Sequence, residues 1–239
     1  VAPPLVAFAL ALLALVLLAV SGPSYQLGLV SLPSALAVFR SAAFLGLVSA
    51  LATIVAFAHA IRRRHLAAGL ITLLAGAGSI VAIAIPVEWW RAAQAAPPIH
   101  DISTDLENPP AFTAILPLRQ PTQNSLERSA AVTAEQRSSY PDIHPVSLPI
   151  PPDQAFEETL ELIQEHEWEV VSADKERGVL EAIATSPWFG FKDDVVIRLT
   201  ASGTGTRVDM RSASRIGVGD VGANAERVRE FLDDLEHGQ

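Results

Sequence analysis

Arg62-Arg63-Arg64-His65 stands between two apolar runs, residues 41–61 and 66–87. Each run is long enough to cross a bilayer core of roughly 30 Å at about 1.5 Å per residue. Loops rich in Lys and Arg stay on the cytoplasmic side of a membrane, so Arg62, Arg63 and Arg64 act as topology determinants. They place everything from residue 88 onward outside the cytoplasm. On this reading the chain is a multi-pass protein of the bacterial inner membrane with an extracytoplasmic C-terminal domain.

A further apolar run, residues 5–20, follows Pro3-Pro4 and ends at Ser21-Gly22-Pro23-Ser24, a helix-stop sequence. It reads as another span, completing a transmembrane domain over 1–91. A signal peptide cleaved at Ala19-Val20-Ser21 is the alternative; the chain opens on Val1, and residues ahead of it lie beyond this reading. Residues 21–40 read as a mildly apolar loop, re-entrant or interfacial, whose Arg40 opposes the three arginines with a single charge. His59 stands near the inner end of its span, as a proton relay or, more plainly, as an interfacial histidine. Gly69, Gly76 and Gly78 permit close helix packing in the last span. Glu88-Trp89-Trp90-Arg91 has the composition of an aromatic belt at the outer interface. No span carries a central Asp, Glu, Lys or Arg, which argues against an ion-coupled transporter.

Charge is unevenly distributed. Residues 1–87 hold four basic residues and no Asp or Glu, whereas the rest holds all 26 acidic residues against 13 basic ones. Such an acidic domain repels nucleic acid, which needs basic surface. It also avoids broad contact with anionic headgroups. The absence of cysteine excludes disulfides, thiol nucleophiles and Cys-ligated metals.

Residues 92–152 are interrupted by Pro97-Pro98, Pro109-Pro110, Pro117, Pro121, Pro141, Pro145, Pro149 and Pro151-Pro152, which rule out long helices. The segment is too long for an ordinary loop. It reads as a Pro-rich extended arm laid over a domain, with a short helix near 125–138.

The compact α+β domain spans 153–239. Asp153 is placed to cap a helix carrying Phe156, Leu160 and Ile163 at helical spacing. Strand-like runs follow at 168–173, 179–185, 194–200 and 207–215, with Gly178, Gly190, Gly203 and Gly205 in the connections. An amphipathic helix over 221–235, capped by Asp220, presents Val221, Ala225, Val228, Phe231, Leu232 and Leu235. The expected fold is two layers, four antiparallel strands with two helices on one face, in the order α-β-β-β-β-α. Alternation turns Val170, Leu180, Ala182, Val195, Ile197, Leu199, Val208 and Met210 toward the helices. Glu181, Arg198, Arg207, Asp209, Arg211 and Arg215 face the other way.

Several motifs now add up. They are Thr185-Ser-Pro-Trp-Phe-Gly-Phe-Lys-Asp-Asp-Val-Val-Ile-Arg198, Thr206-Arg-Val-Asp-Met-Arg-Ser-Ala-Ser-Arg215 and Gly219-Asp-Val-Gly-Ala-Asn224. Pro97-Pro-Ile-His-Asp-Ile-Ser-Thr-Asp105 and Tyr140-Pro-Asp-Ile143 belong with them. Together they resemble the bacterial domain of unknown function 1499 family over about residues 97–235, and the three-span N-terminus resembles its longer members. That family has no established activity, so the resemblance implies no catalytic residues. Its shorter members carry a cysteine-containing segment near the domain start, which this chain lacks.

Candidate chemistry is sparse. His100-Asp101 with Asp142-x-His144 could ligate a metal, but the spacing fits no closed zinc motif, and Asp beside His commonly makes turn bonds. Asp193-Asp194 could pair for acid–base work or end a hairpin. Gly217-Val-Gly-Asp-Val-Gly222 could bind an anion at a helix N-terminus, with Asp220 competing as a cap. No metal, cofactor or catalytic residue is assigned. Candidate ligand or partner contacts are Trp188, Phe189 and Phe191, three aromatics in one hairpin connection, with Arg198, Asp209, Arg211 and Arg215 on the open sheet face. That face is either a self-paired solvated surface or a docking surface under the arm or a partner. One or two of the aromatics are expected beneath the arm, the other presented to a partner. The functional expectation is a non-enzymatic module that binds an envelope protein or lipid-like ligand. The alternative is a carboxylate-dependent envelope hydrolase, recognisable by a cleft of clustered carboxylates with shifted pKa values.

Overall fold

The computed structural model describes residues 3–238. The chain forms two compact units: one holds the residues up to Ala92 together with Pro187–Gly190, the other Ala93–Ser186 with the residues from Phe191 onward.

The first unit contains α1 (Pro3–Gln26), α2 (Leu32–Arg63) and most of α3 (Leu66–Ala95), three helices long and apolar enough to cross a membrane. Small residues bring them close: Ala7, Ala11, Ala56 and Ala75 form a buried seam. A polar thread joins all three helices. Ser79 Oγ donates to Ser49 Oγ at 2.8 Å, and Ser49 Oγ donates to the Ala7 carbonyl at 3.0 Å. In an apolar surround such hydroxyls need internal partners.

The helices overrun the expected spans. α1 continues through Ser21-Gly22-Pro23-Ser24, because Pro23 lies near its end and the Ser21 and Ser24 hydroxyls bond back to the Leu18 and Ser21 carbonyls. The expected loop over 21–40 shrinks accordingly. Ser31 caps α2, accepting from the Ser34 amide, with Pro33 in the first turn. α2 ends at Arg64 in the left-handed region (φ 49°), where the Arg64 and His65 amides reach the Ile61 and Ala60 carbonyls. α3 carries Glu88-Trp89-Trp90-Arg91 as helix.

The second unit is an antiparallel sheet with helices. β3 (Glu169–Asp174), β4 (Val179–Thr185), β5 (Lys192–Ser202) and β6 (Gly205–Ser214) are consecutive neighbours, with α5 (Pro152–Glu165) and α6 (Ala223–His237) packed against one face. Leu180, Ala182, Val195, Ile197, Leu199, Val208 and Met210 lie buried on that face with Phe156, Ile163, Val228, Phe231, Leu232 and Leu235. Ile197 pairs with Met210 across β5 and β6.

The sheet has six strands, not four. β1 (Asp101–Ser103) and β2 (Val146–Leu148) come from the Pro-rich segment and pair antiparallel with β6, at Arg211–Ala213 and Thr206–Val208. β6 is long, and its outer edge would otherwise expose unpaired amides and carbonyls. Between the two short strands the segment also forms a 3-10 turn (Leu116–Leu118) and α4 (Ala130–Ser139), capped by Ser129.

Three local expectations change. Pro151, not Asp153, caps α5, and Asp153 sits in its first turn. Val221 lies outside α6 in the left-handed region (φ 61°), because Asp220 holds the turn ahead of the helix. Val170 pairs with Ala182 but is 38% exposed at the sheet edge, and a bulge turns Val171 to the opposite face.

Candidate functional site

The second sheet face is polar in sequence and closed in structure. Phe112 and Ile115 from the Pro-rich segment join Ile183, Val196 and Ala213 in a small apolar cluster over it. Around that cluster the charged side chains find partners. Arg211, buried, holds Asp101 through Nε at 3.0 Å and Nη2 at 2.7 Å, and its guanidinium lies 5.0 Å over the Phe112 ring. Arg128 donates to the same carboxylate at 2.8 Å. Arg215 donates to Asp194 from Nε and Nη2 at 2.9 and 2.7 Å, and Arg119 joins from the other side. Arg198 reaches Asp105 at 3.2 Å and Asp209 at 3.1 Å, and Arg207 binds the same two carboxylates.

Glu181 is the pivot of the covering segment. Its Oε1 accepts from the Thr113 and Ala114 amides at 2.9 Å and the Thr113 hydroxyl at 2.6 Å; its Oε2 accepts from the Ile115 amide at 2.9 Å. Four donors on one buried carboxylate pin the turn before Leu116–Leu118 to the middle of the sheet. Arg198, Asp209, Arg211 and Arg215 are therefore gathered on one face, where chain segments distant in sequence engage them. The sequence named these four without naming Asp105, Arg119 or Arg128 as their partners, and it read Asp101 only as a candidate metal ligand, because the covering segment has no period to read.

The carboxylates do not assemble into a pair. Adjacent in β5, Asp193 and Asp194 point to opposite faces. Asp194 goes to Arg215 and Arg119, whereas Asp193 meets Arg227 of α6 at 2.7 Å. Burial pushes the Asp193 carboxyl above the usual range, against the pull of Arg227. Burial also acts upward on Asp105, but the Asn108 and Glu107 amides with Arg207 and Arg198 hold it below that range.

The two Asp–His motifs stay apart in their bonding. Asp101 serves Arg211 and Arg128; Asp142 serves Arg229 at 2.5 Å, and that hydrogen bond lowers its pKa. Among the described residues no three His, Cys, Asp or Glu side chains converge as metal ligands. At the glycine-rich turn, Asp220 accepts from the Gly222 and Asn224 amides at 2.9 and 2.7 Å, occupying donors an anion would use.

The aromatic connection is arranged differently. Ser186 and Phe191 close its neck, the Ser186 amide donating to the Phe191 carbonyl at 2.8 Å and the Phe191 amide to Ser186 Oγ at 2.9 Å. Between them Pro187–Gly190 belongs to the helical unit. Within that unit Phe39 is a hub: its ring centroid lies 5.8 Å from Trp89, 5.5 Å from Trp188 and 5.9 Å from Phe189, all edge-on. Such pairs add about 0.5–1.5 kcal/mol each beyond area burial. Gly22 of α1 lets Trp188 sit close, since a methyl there would strike the indole edge and the Trp188 carbonyl. Gly190 (φ 66°) takes the backbone past Gln26. Phe39 and Phe189 are buried, Trp188 is half-buried and Trp89 stays 37% exposed. Trp188 and Phe189 each make an edge-on ring contact with Phe39 of α2. Phe39, Trp89 and Gly22 were not singled out as site residues, although the Trp89-Trp90 pair already marked this end of α3.

Comparison with known families matches residues 101–235 to the family described as "Protein of unknown function (DUF1499)". Among solved structures, the crystal structure of TTHA0849 from Thermus thermophilus is similar at 17% identity and a TM-score of 0.26, covering 38% of this chain and 91% of that one. No curated protein matches the chain.

Proposed function

Because the chain belongs to the family of proteins of unknown function DUF1499, whose profile spans more than half of it, we propose that it is an inner-membrane protein whose outward-facing domain works as a non-enzymatic module for a lipid-like ligand of the envelope. The observation that carries this reading is the ring cluster of Phe39, Trp89, Trp188 and Phe189. Tryptophan at the end of an apolar helix favours the interfacial layer, where one side is apolar and the other wet. A hairpin segment presented in the same cluster offers a ligand with acyl or polyprenyl character a partly open aromatic seat. The charged sheet residues, by contrast, are engaged by arginines and arm amides, which supports binding over carboxylate-dependent hydrolysis.

Orientation is tested by reporter fusions after Arg91, active in the outer compartment alone on this proposal. Ligand binding is tested by purifying the full chain and the Trp188→Ala and Phe189→Ala variants in mild detergent and identifying retained lipids by mass spectrometry. The expected result is that, of the lipids retained by the native chain, one class is depleted in both variants. Retention unchanged in correctly folded variants, or a protein recovered in place of a lipid, counts against the proposal.

A further inference from the structure

Every Lys and Arg after Val87 has a carboxylate within 4.0 Å. Among the described residues Arg40, Arg62, Arg63 and Arg64 have none, and residues 1–87 contain no Asp or Glu to supply one. Three of these four unpaired charges crowd the last turn of α2.

His59, Arg62 and Arg63 stand at i, i+3 and i+4, so they share one side of the helix. With Val55 and Ala58 they line an open cavity of ≈ 570 Å³. The small residues that pack α2 into the bundle, among them Gly46, Ser49, Ala56 and Ala60, are buried, whereas these five residues are exposed. The floor is apolar and the rim is cationic, at the end of a helix long and apolar enough to cross a membrane. That order of chemistry matches a phospholipid entering the headgroup layer: acylglycerol against Val55 and Ala58, phosphate against the three donors. Arginine suits the role, because its planar fork binds phosphate oxygens in pairs.

We propose that His59, Arg62 and Arg63 form a headgroup site for an anionic phospholipid. The site does not depend on the aromatic cluster, and its failure would leave the proposed function untouched. Phosphate is the shared chemistry of a lipid headgroup and the free ion; the apolar floor assigns the lipid.

The test uses the full chain, delipidated in a neutral detergent and titrated with phosphatidylglycerol, with phosphatidylcholine, and with inorganic phosphate alone, bound species being counted by native mass spectrometry. The native chain is expected to prefer phosphatidylglycerol over phosphatidylcholine and to show no adduct with inorganic phosphate. The double variant Arg62→Gln/Arg63→Gln is expected to lose about 25-fold in phosphatidylglycerol affinity, at about fivefold per arginine near an anionic headgroup. Arg40→Gln, an unpaired arginine far along the same helix, leaves the preference intact. Should the double variant lose helical signal, Arg63→Gln alone reads the same effect at about fivefold. Equal affinity for the two lipids, a preference that survives loss of the arginines, or an adduct with phosphate alone overturns the proposal.

Discussion

Arg211 and Asp101 meet side by side, Nε to Oδ1 at 3.0 Å and Nη2 to Oδ2 at 2.7 Å, joining β6 to the first short strand of the Pro-rich segment. Both side chains are buried, and Arg128 closes the other flank of the carboxylate. Removing the shared anion leaves two buried guanidinium groups without it. Asp101→Asn should destabilise the second unit by about 3–5 kcal/mol. Denaturant unfolding of the full chain, followed through Trp168, which stacks on Phe231 in that unit, measures this. A loss under about 1 kcal/mol would mean that water replaces the pair.

Glu181 tests how the Pro-rich segment is held. A glutamine keeps the shape but offers an NH2 group where an oxygen now accepts backbone amides. Glu181→Gln should cost about 1–3 kcal/mol, the penalty of a buried donor left unmatched. Hydrogen exchange should quicken at Thr113, Ala114 and Ile115, which donate to Glu181. Unchanged protection of those amides would show that strand pairing alone holds the segment.

Asp142 supplies a pH dependence of known sign. Its hydrogen bond to Arg229 lowers the carboxyl pKa. A depressed carboxylate adds stability above its unfolded value, about 3.9 for Asp, and that stability is lost as pH falls toward the folded value. The native chain should therefore exceed Asp142→Asn in melting temperature at pH 6, with the gap closing below about pH 4. The gap should be small, because the pair is half exposed. A difference that widens on acidification would refute the assigned direction.

Gly22 tests the aromatic cluster from the helix side. A methyl there meets the Trp188 indole and backbone, so Gly22→Ala should push Trp188 outward. With Trp89, Trp90 and Trp168 changed to Phe, acrylamide quenching of the remaining tryptophan should rise in the alanine variant. Equal quenching would place Trp188 away from Gly22 in solution.

Much of this fold is legible in period and composition. Ile197 and Met210 declare their face by alternation, and Phe231 and Leu235 by helical spacing, because each lies in an element long enough to show a repeat. Asp101-Ile102-Ser103 and Val146-Ser147-Leu148 are too short for one. They become strands because β6 offers an open edge, a tertiary cause that sequence period does not carry. The end of α1 is hidden for another reason: Gly22 and Pro23 signal a stop, but Pro23 lies close to the helix end and the Ser21 and Ser24 hydroxyls bond back to carbonyls of the helix, which runs on to Gln26. In the candidate site, Trp188, Phe189 and the sheet arginines stand out as residue types. Their partners do not. Phe39 is one apolar residue among many, and Asp101 or Arg119 sits among prolines, where no spacing points to a contact.

The central claim is that the Trp188–Phe189 segment presents an aromatic seat for a lipid-like ligand. Placing a photoreactive amino acid at position 188 or 189 of the full chain in living cells and illuminating them interrogates that seat in its own membrane. A lipid adduct of one mass class, reduced when Phe39 is replaced by alanine, is the predicted result. Adducts to a protein, or lipid adducts no different from those formed by the same probe at Leu51 on the exposed side of α2, would contradict it.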